Sequence, residues 1–175
     1  MLDILKNCAK KGKVVSLYFN KEDNQVHSTG YVHRYNENEI IIAHINPRGE
    51  YDGFILNRID DIYRIEFDGD YERKIRRLYK LKKQKHNTIN CAKESLLFDL
   101  LDFAKDNEYL ISLEFNNDSV TGTIDFYDEN YICLNVIDAY GKQNGTSVAA
   151  IDQIVTISCD TDYEQDVKLL TSTTK

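Results

Sequence analysis

The sequence predicts a mainly β protein with short helices, organised as two tandem five-stranded barrels, each preceded by an α-helix. An internal repeat comes first: the stretch from Gly30 to Tyr71 is written again from Gly122 to Tyr163 at an offset of ninety-two residues. Compared without gaps from Gly30 to Glu72, sixteen of forty-three positions are identical. The second observation is strand patterning, with short β-branched and alternating runs bounded by Gly, Asn and Asp. The third is composition: twelve Tyr and seven Phe with one Pro and no Trp suit compact β-rich modules.

Each copy opens with apolar residues at helical spacing, Leu2, Leu5, Cys8 and Ala9 in the first and Leu97, Leu100, Leu101 and Ala104 in the second. Val15-Ser16-Leu17-Tyr18-Phe19 and Ile111-Ser112-Leu113-Glu114-Phe115 alternate as half-buried first strands do. The following turn is longer in the first copy (Asn20 to Gln25) than in the second (Asn116 to Asp118). Gly30 and Gly122 lie inside the second strands, where a Gly marks a bend or a close backbone approach. Asn36-Glu37-Asn38 and Asp128-Glu129-Asn130 form tight turns, because their first side chain can bond its own backbone. The third strands are Glu39 to Ile45 and Tyr131 to Ile137. Gly49 with Gly53, and Gly141 with Gly145, read as hairpin loops. The fourth and fifth strands are Phe54 to Arg58 with Asp61 to Phe67, and Thr146 to Ala150 with Gln153 to Cys159. Strongly bent sheets this short are expected to close into two barrels, and a single continuous sheet running through both copies would end that case.

After each barrel a Tyr leads an apolar helical stripe: Tyr71, Ile75 and Leu78, then Tyr163, Val167 and Leu170. These tyrosines are expected to anchor closing helices. The domains are then residues 1–72, a basic helical link at 73–92, and residues 93–175. Only the last few residues look disordered.

Charge runs acid, base, acid: about −3 over residues 1–70, +7 over 71–95 and −11 over 96–175. The basic link holds Arg73, Lys74, Arg76, Arg77, Lys80, Lys82, Lys83 and Lys85 with Tyr79 among them, a footprint suited to phosphate backbones. The plainer reading is a solvated helix neutralised by the acidic second barrel.

The order Gly30-x-Val32-x-x-Tyr35-Asn36 followed by Ile40-Ile41-Ile42 resembles the first signature of the Sm-like family, which includes the LSm proteins and the bacterial Sm-like RNA chaperone. The second copy carries the signature's Asp as Asp128, and Ala150-Ile151-Asp152-Gln153-Ile154-Val155 resembles the bacterial second signature. The resemblance implies Sm-like, SH3-like barrels that assemble through strand edges into rings and bind RNA. An unpaired edge needs covering on physical grounds as well. The two copies could pair with each other or supply part of a ring. The family's RNA-reading positions depart from its pattern. The base-stacking place is Asn38 or Asn130, the next polar position is Ile40 or Ile132, and the Lys-His pair falls on Val148-Ala149 or Leu56-Asn57. Arg58 lacks a following Gly. Stacking contributes ~1–3 kcal/mol per base, so the family's pore binding is expected to be weak here. Phe54 to Ile62 followed by Tyr71 is also similar to the end of a WYL domain, a ligand-sensing module of bacterial regulators.

No catalytic set emerges, no cofactor is implied, and a non-enzymatic protein is expected. His33 and His44 lie on neighbouring strands and could face each other, but pairing roles outweigh ligation. Asp60 and Asp152 are expected to accept main-chain hydrogen bonds. Cys8, Cys91, Cys133 and Cys159 lack metal-ligand spacing and read as buried free thiols. The start of the chain lacks a secretory pattern and no window reaches the length of a membrane span, so a cytoplasmic location is expected. The expected function is association with itself or another protein through strand edges, with single-stranded RNA on Arg73 to Lys85 as the alternative.

Overall fold

The computed structural model describes residues 1–19, 27–90 and 92–172. Asn20 to Gln25, Cys91 and residues 173–175, which carried expectations of a turn, a thiol and disorder, lie outside them. The first half runs α1 (Leu2–Lys10), β1 (Val14–Tyr18), β2 (His27–Tyr35), β3 (Glu39–Ile45), β4 (Tyr51–Arg58), a 3-10 turn (Ile59–Asp61), β5 (Arg64–Phe67) and α2 (Asp70–Leu81). The second repeats it as α3 (Leu96–Asp106), β6 (Ile111–Glu114), β7 (Ser119–Tyr127), β8 (Tyr131–Ile137), β9 (Gln143–Ala150), a 3-10 turn (Ile151–Gln153), β10 (Thr156–Cys159) and α4 (Asp162–Ser172).

All ten strands join one open antiparallel sheet in the order β5-β1-β2-β3-β4-β10-β6-β7-β8-β9. This corrects the expectation of two separately closed barrels. The 3-10 turn after β4 sends the chain across to β1, so β4 and β5 of one half never meet and β4 keeps an unpaired edge. That edge is taken by β10 of the other half.

The repeat is carried into the backbone. Register slips fall between Val32 and Arg34 and between Ala43 and Ile45, and again between Ile124 and Phe126 and between Asn135 and Ile137. Such bulges bend a strand and increase its twist. Beside them Gly30 and Gly122 have no room for a Cβ, which would strike the carbonyl oxygens of Ala43 and Asn135. The Asn36 side chain accepts the N–H groups of Asn38 (2.8 Å) and Glu39 (2.6 Å), and Asp128 accepts those of Asn130 (2.7 Å) and Tyr131 (2.8 Å). Gly49 sits in the expected hairpin turn, whereas Gly53 lies within β4.

Alternate residues of β3 feed two cores. Ile40 and Ile42 pack with Leu5, Cys8, Val15 and Leu17 under α1, while Ile41 and Ala43 join Phe54, Leu56 and the α3 leucines in a core shared by both halves. Ile40-Ile41-Ile42-Ala43 is a continuous apolar run because the strand is covered on both faces. Cys8, Cys133 and Cys159 are buried free thiols.

The closing helices are held by glutamates rather than by the expected tyrosine pair. Glu72, 4% exposed, receives the Ser16 hydroxyl (2.6 Å) and the Gly69 N–H (3.1 Å), and Ser16 lies 3.1 Å from Thr29. Glu164, 2% exposed, receives the Ser112 hydroxyl (2.5 Å) and the Thr161 N–H (2.8 Å) and hydroxyl (2.5 Å), with Thr121 beside Ser112 at 2.8 Å. Each carboxylate caps its own helix and bolts it to the first strand. Tyr71 packs with Ile75, whereas Tyr163 is 48% exposed.

The helical part of the basic link stops at Leu81. Lys83 adopts a left-handed backbone (φ 53°) and the Gln84 N–H bonds back to the Tyr79 carbonyl (3.1 Å), a Schellman-type close. Residues 84–90 then lie along the first half without regular structure.

Candidate functional site

The joint between the halves shows how this sheet extends. β4 and β10 pair Asn57 with Thr156, Leu56 with Ile157, Ile55 with Ser158 and Phe54 with Cys159. The Asn57 amide donates to the Thr156 hydroxyl (2.8 Å), the Tyr51 hydroxyl donates to Asp160 (2.7 Å), and the Asp162 N–H donates to Asp52 (2.6 Å). Asn46 (3.0 Å) and Arg48 (3.3 Å) both reach the Asp162 carboxylate. Burial works to raise the Asp52 acid, but the His44 ring at 2.9 Å and the Asp162 N–H more than offset it and hold it below the usual carboxylate range. Burial and the Asp160 contact push the Tyr51 phenol far up. Gly53 (φ 63°) is forced by the approach: a Cβ there would strike the Cys159 carbonyl.

The helix of the second half completes the joint. Leu97 and Leu100 are buried in the shared core with Phe54 and Leu56, and Phe103 meets Phe54 edge-on at 5.4 Å. Glu39 accepts the Leu96 N–H (2.7 Å) and the Ser95 hydroxyl (3.1 Å), so a first-half carboxylate caps α3.

The outer edges, β5 and β9, are the counterparts of the two strands that meet in the joint. Apolar residues buried in the joint have exposed counterparts at these ends. Leu56 is 4% exposed and its counterpart Val148 is 61%; Leu97 and Leu100 are 7% and 0%, against 45% and 43% for Met1 and Ile4. Phe67 on β5 is 37% exposed. Gly145, the counterpart of Gly53, keeps its positive φ (79°) but faces open space.

The residues expected to contact nucleic acid separate into groups. Arg73, Lys74, Arg77 and Lys80 are exposed on α2, with Lys82, Lys83 and Lys85 exposed after it. Arg73 pairs with Asp70 (2.7 Å) and Lys82 with Glu50 (2.6 Å). Those bonds from Lys82 and Arg48 bring the Glu50 acid down to about 2. Lys74, Arg77, Lys80, Lys83 and Lys85 have no acidic partner among the described residues. Arg76 is half-buried beside Tyr31. Tyr79 is buried, its ring edge-on to Tyr31 (5.7 Å) and stacked on His86 (5.7 Å), so it belongs to the core rather than to the basic surface.

The histidines pin the link. His33 accepts the Ile89 N–H (3.1 Å), while His86 bonds the His44 carbonyl (2.8 Å) and the Tyr79 hydroxyl (2.8 Å) through its two ring nitrogens. Burial lowers both His33 and His86 to about 4. His33 and His44 do not face each other: His33 sits against Phe54 and Ile89, and His44 turns to Asp52. Asp60 and Asp152 are exposed in the 3-10 turns, with Asp152 taking the Gln153 side-chain amide (3.3 Å). Among the described residues, no three His, Cys, Asp or Glu are grouped to hold a metal, and no helix is long and apolar enough to cross a membrane.

The glutamate bolts went unassigned in the sequence, although each ends the repeated Asp-Tyr-Glu and so carried a signal. Compared with known protein families, curated proteins and solved structures, the chain matches none.

Proposed function

We propose that this chain is a non-enzymatic assembly module of two Sm-like, SH3-like five-stranded units that adds further copies of itself head to tail through β5 and β9. The internal joint carries the reading: β4 and β10 are already paired, and their counterparts are the two strands left open. A second copy would place Ile65 opposite Val148 and Phe67 opposite Thr146, in the register that pairs Ile157 with Leu56 and Cys159 with Phe54. It would cover Val148, Met1 and Ile4 as Leu56, Leu97 and Leu100 are covered inside the chain. A heterologous contact of this kind closes into a ring or extends into a filament, depending on the rotation it imposes.

Cysteines at Ile65 and Val148 test this directly. Cross-strand neighbours have Cα atoms ~4.5–5.5 Å apart, within reach of a disulfide. Under mild oxidation the double variant should form linked multimers, while each single variant should not. A wild type that stays monomeric by light scattering at high concentration, with no linked product from the double variant, would sink the proposal.

A second reading is RNA binding on α2, favoured by the exposed cations Lys74, Arg77, Lys80, Lys83 and Lys85. Phosphate contacts would dominate, so affinity should fall steeply with salt and vary little with sequence. Changing Lys74, Arg77, Lys80, Lys83 and Lys85 to Gln should then abolish binding of a fluorescent single-stranded RNA. Absence of binding by wild type at low salt removes this reading.

A further inference from the structure

The two halves fill the space under the closing helix differently. In the first half the space under the closing helix is filled by Val14, Ile45, Ile75 and Tyr79 with Tyr31 and Tyr71 packed against them, the Tyr31 and Tyr79 ring centres lying 5.7 Å apart. The second half has Leu110, Ile137 and Val167 for the three aliphatics, but Thr123 and Thr171 stand where Tyr31 and Tyr79 would be. A cavity of about 630 Å³ opens there, lined by Leu110, Thr123, Ile124, Ile137 and Thr171, with Lys105 and Lys168 at its rim. Its size suits a small-molecule site.

The space has not collapsed, because the frame around it is held in both halves. Glu164 bolts α4 to β6 as Glu72 bolts α2 to β1. Gly141 presses on Leu170 of α4 as Gly49 presses on Leu78 of α2. Removing two rings from a fixed frame leaves a void whose walls lose their contacts. The first half shows what shape fills it: flat aromatic rings.

Charge adds the second requirement. In the first half Arg76 stands beside the Tyr31 hydroxyl, and its counterpart here is Lys168. The Lys168 ammonium bonds the Glu108 carbonyl (2.6 Å) and lies 5.5 Å from the centre of the Tyr109 ring, while Lys105 bonds the Asp125 carbonyl (2.7 Å). Neither forms a salt bridge among the described residues, although Lys168 lies in the field of Asp160, Lys105 in that of Asp102, and Glu108 also lines the cavity. We infer that the second half binds a small aromatic acid, its ring between Thr123 and Thr171 against Ile124 and Ile137, its anionic group at Lys168 and Lys105.

Three probes with one ring system and different charges test this: indole-3-acetate, indole and tryptamine, titrated by calorimetry and by backbone amide NMR. Indole-3-acetate should bind one per chain, shift Leu110, Ile124 and Ile137, and bind at least tenfold more tightly than tryptamine. Lys168→Gln should weaken the acid roughly tenfold, the value of a charge-assisted bond, and leave indole unchanged. Thr123→Tyr with Thr171→Tyr, restoring the first-half pair, should remove binding of all three while the protein stays folded. If that variant does not fold, the charge series and Lys168→Gln still decide. No binding of the acid, equal binding of acid and amine, or binding that survives in a folded double-tyrosine variant would each overturn the inference. So would self-association that the double-tyrosine variant abolishes with no acid bound by wild type, since that assigns the cavity to a second copy.

Discussion

Replacing Ser112 by Ala should cost about 2 kcal/mol, an expectation that follows from where its hydroxyl points. The hydroxyl donates to Glu164 at 2.5 Å, Ser112 is 6% exposed and Glu164 2%, so water cannot take over the bond. A hydrogen bond to a charged group contributes ~1.5–3 kcal/mol, and leaving a buried acceptor short of a donor falls in the same range. Glu164 would keep the Thr161 N–H and hydroxyl, which places the loss near the middle of that range. For a chain of this size ~2 kcal/mol corresponds to a fall in Tm of ~4–8 °C. Glu164→Gln should cost a similar amount: its amide NH2 can donate to the Ser112 hydroxyl, which turns to accept, but the charge that strengthens the bond is gone. The double variant should lose less than the sum, since both changes act on the same bond. Ser16→Ala and Glu72→Gln should behave alike, making each half a control for the other. Urea or thermal unfolding reads all of these. Losses below about 0.5 kcal/mol in Ser112→Ala and Ser16→Ala, or strict additivity, would refute the bolt.

Acid should loosen the link before it unfolds the core. His33 and His86 fall from 6.5 to about 4 on folding, so the unfolded chain binds more protons than the folded one between those values. Their contribution is neutral above pH 6.5, and stability falls as pH drops toward 4, with a slope approaching two protons. Amide exchange at Ile89, whose N–H bonds His33, should accelerate in that window, and an unchanged rate would contradict the assignment. Gly53→Ala should disrupt the joint, because a Cβ meets the Cys159 carbonyl in addition to the strained φ. Gly145→Ala has open space and should cost the isolated chain only the backbone strain of ~1–3 kcal/mol, yet block multimers if β9 is used as β4 is. Unfolding curves and light scattering on the two variants separate these effects.

Local chemistry was the most legible part of the sequence. Gly30 and Gly122, the Asn36 and Asp128 turns and the third strands are each set by a residue and its near neighbours, and all stand where the repeat placed them. The continuity of the sheet was not legible, because it depends on Tyr51 finding Asp160 and Asp52 finding Asp162, pairs more than a hundred residues apart that occur in only one joint. Tyr79 was hidden by the lysines and arginines around it. Its spacing of four from Ile75 puts it on the buried stripe of α2, and that periodicity is a better guide to an aromatic side chain than the charge of its neighbours. Glu72 and Glu164 were hidden by their charge, which reads as solvated unless a buried serine is already known to wait opposite.

The shared core also dictates what the ribosome must tolerate. The leucines of α3 are made about forty residues after Phe54 and Leu56, and the strand that seals them, Thr156–Cys159, about a hundred residues after. Until then the nascent first half presents a bare greasy flank with an unpaired backbone beside it, the kind of surface that aggregates or engages chaperones. A truncated transcript or a stalled ribosome would therefore release a sticky fragment rather than a usable half-molecule.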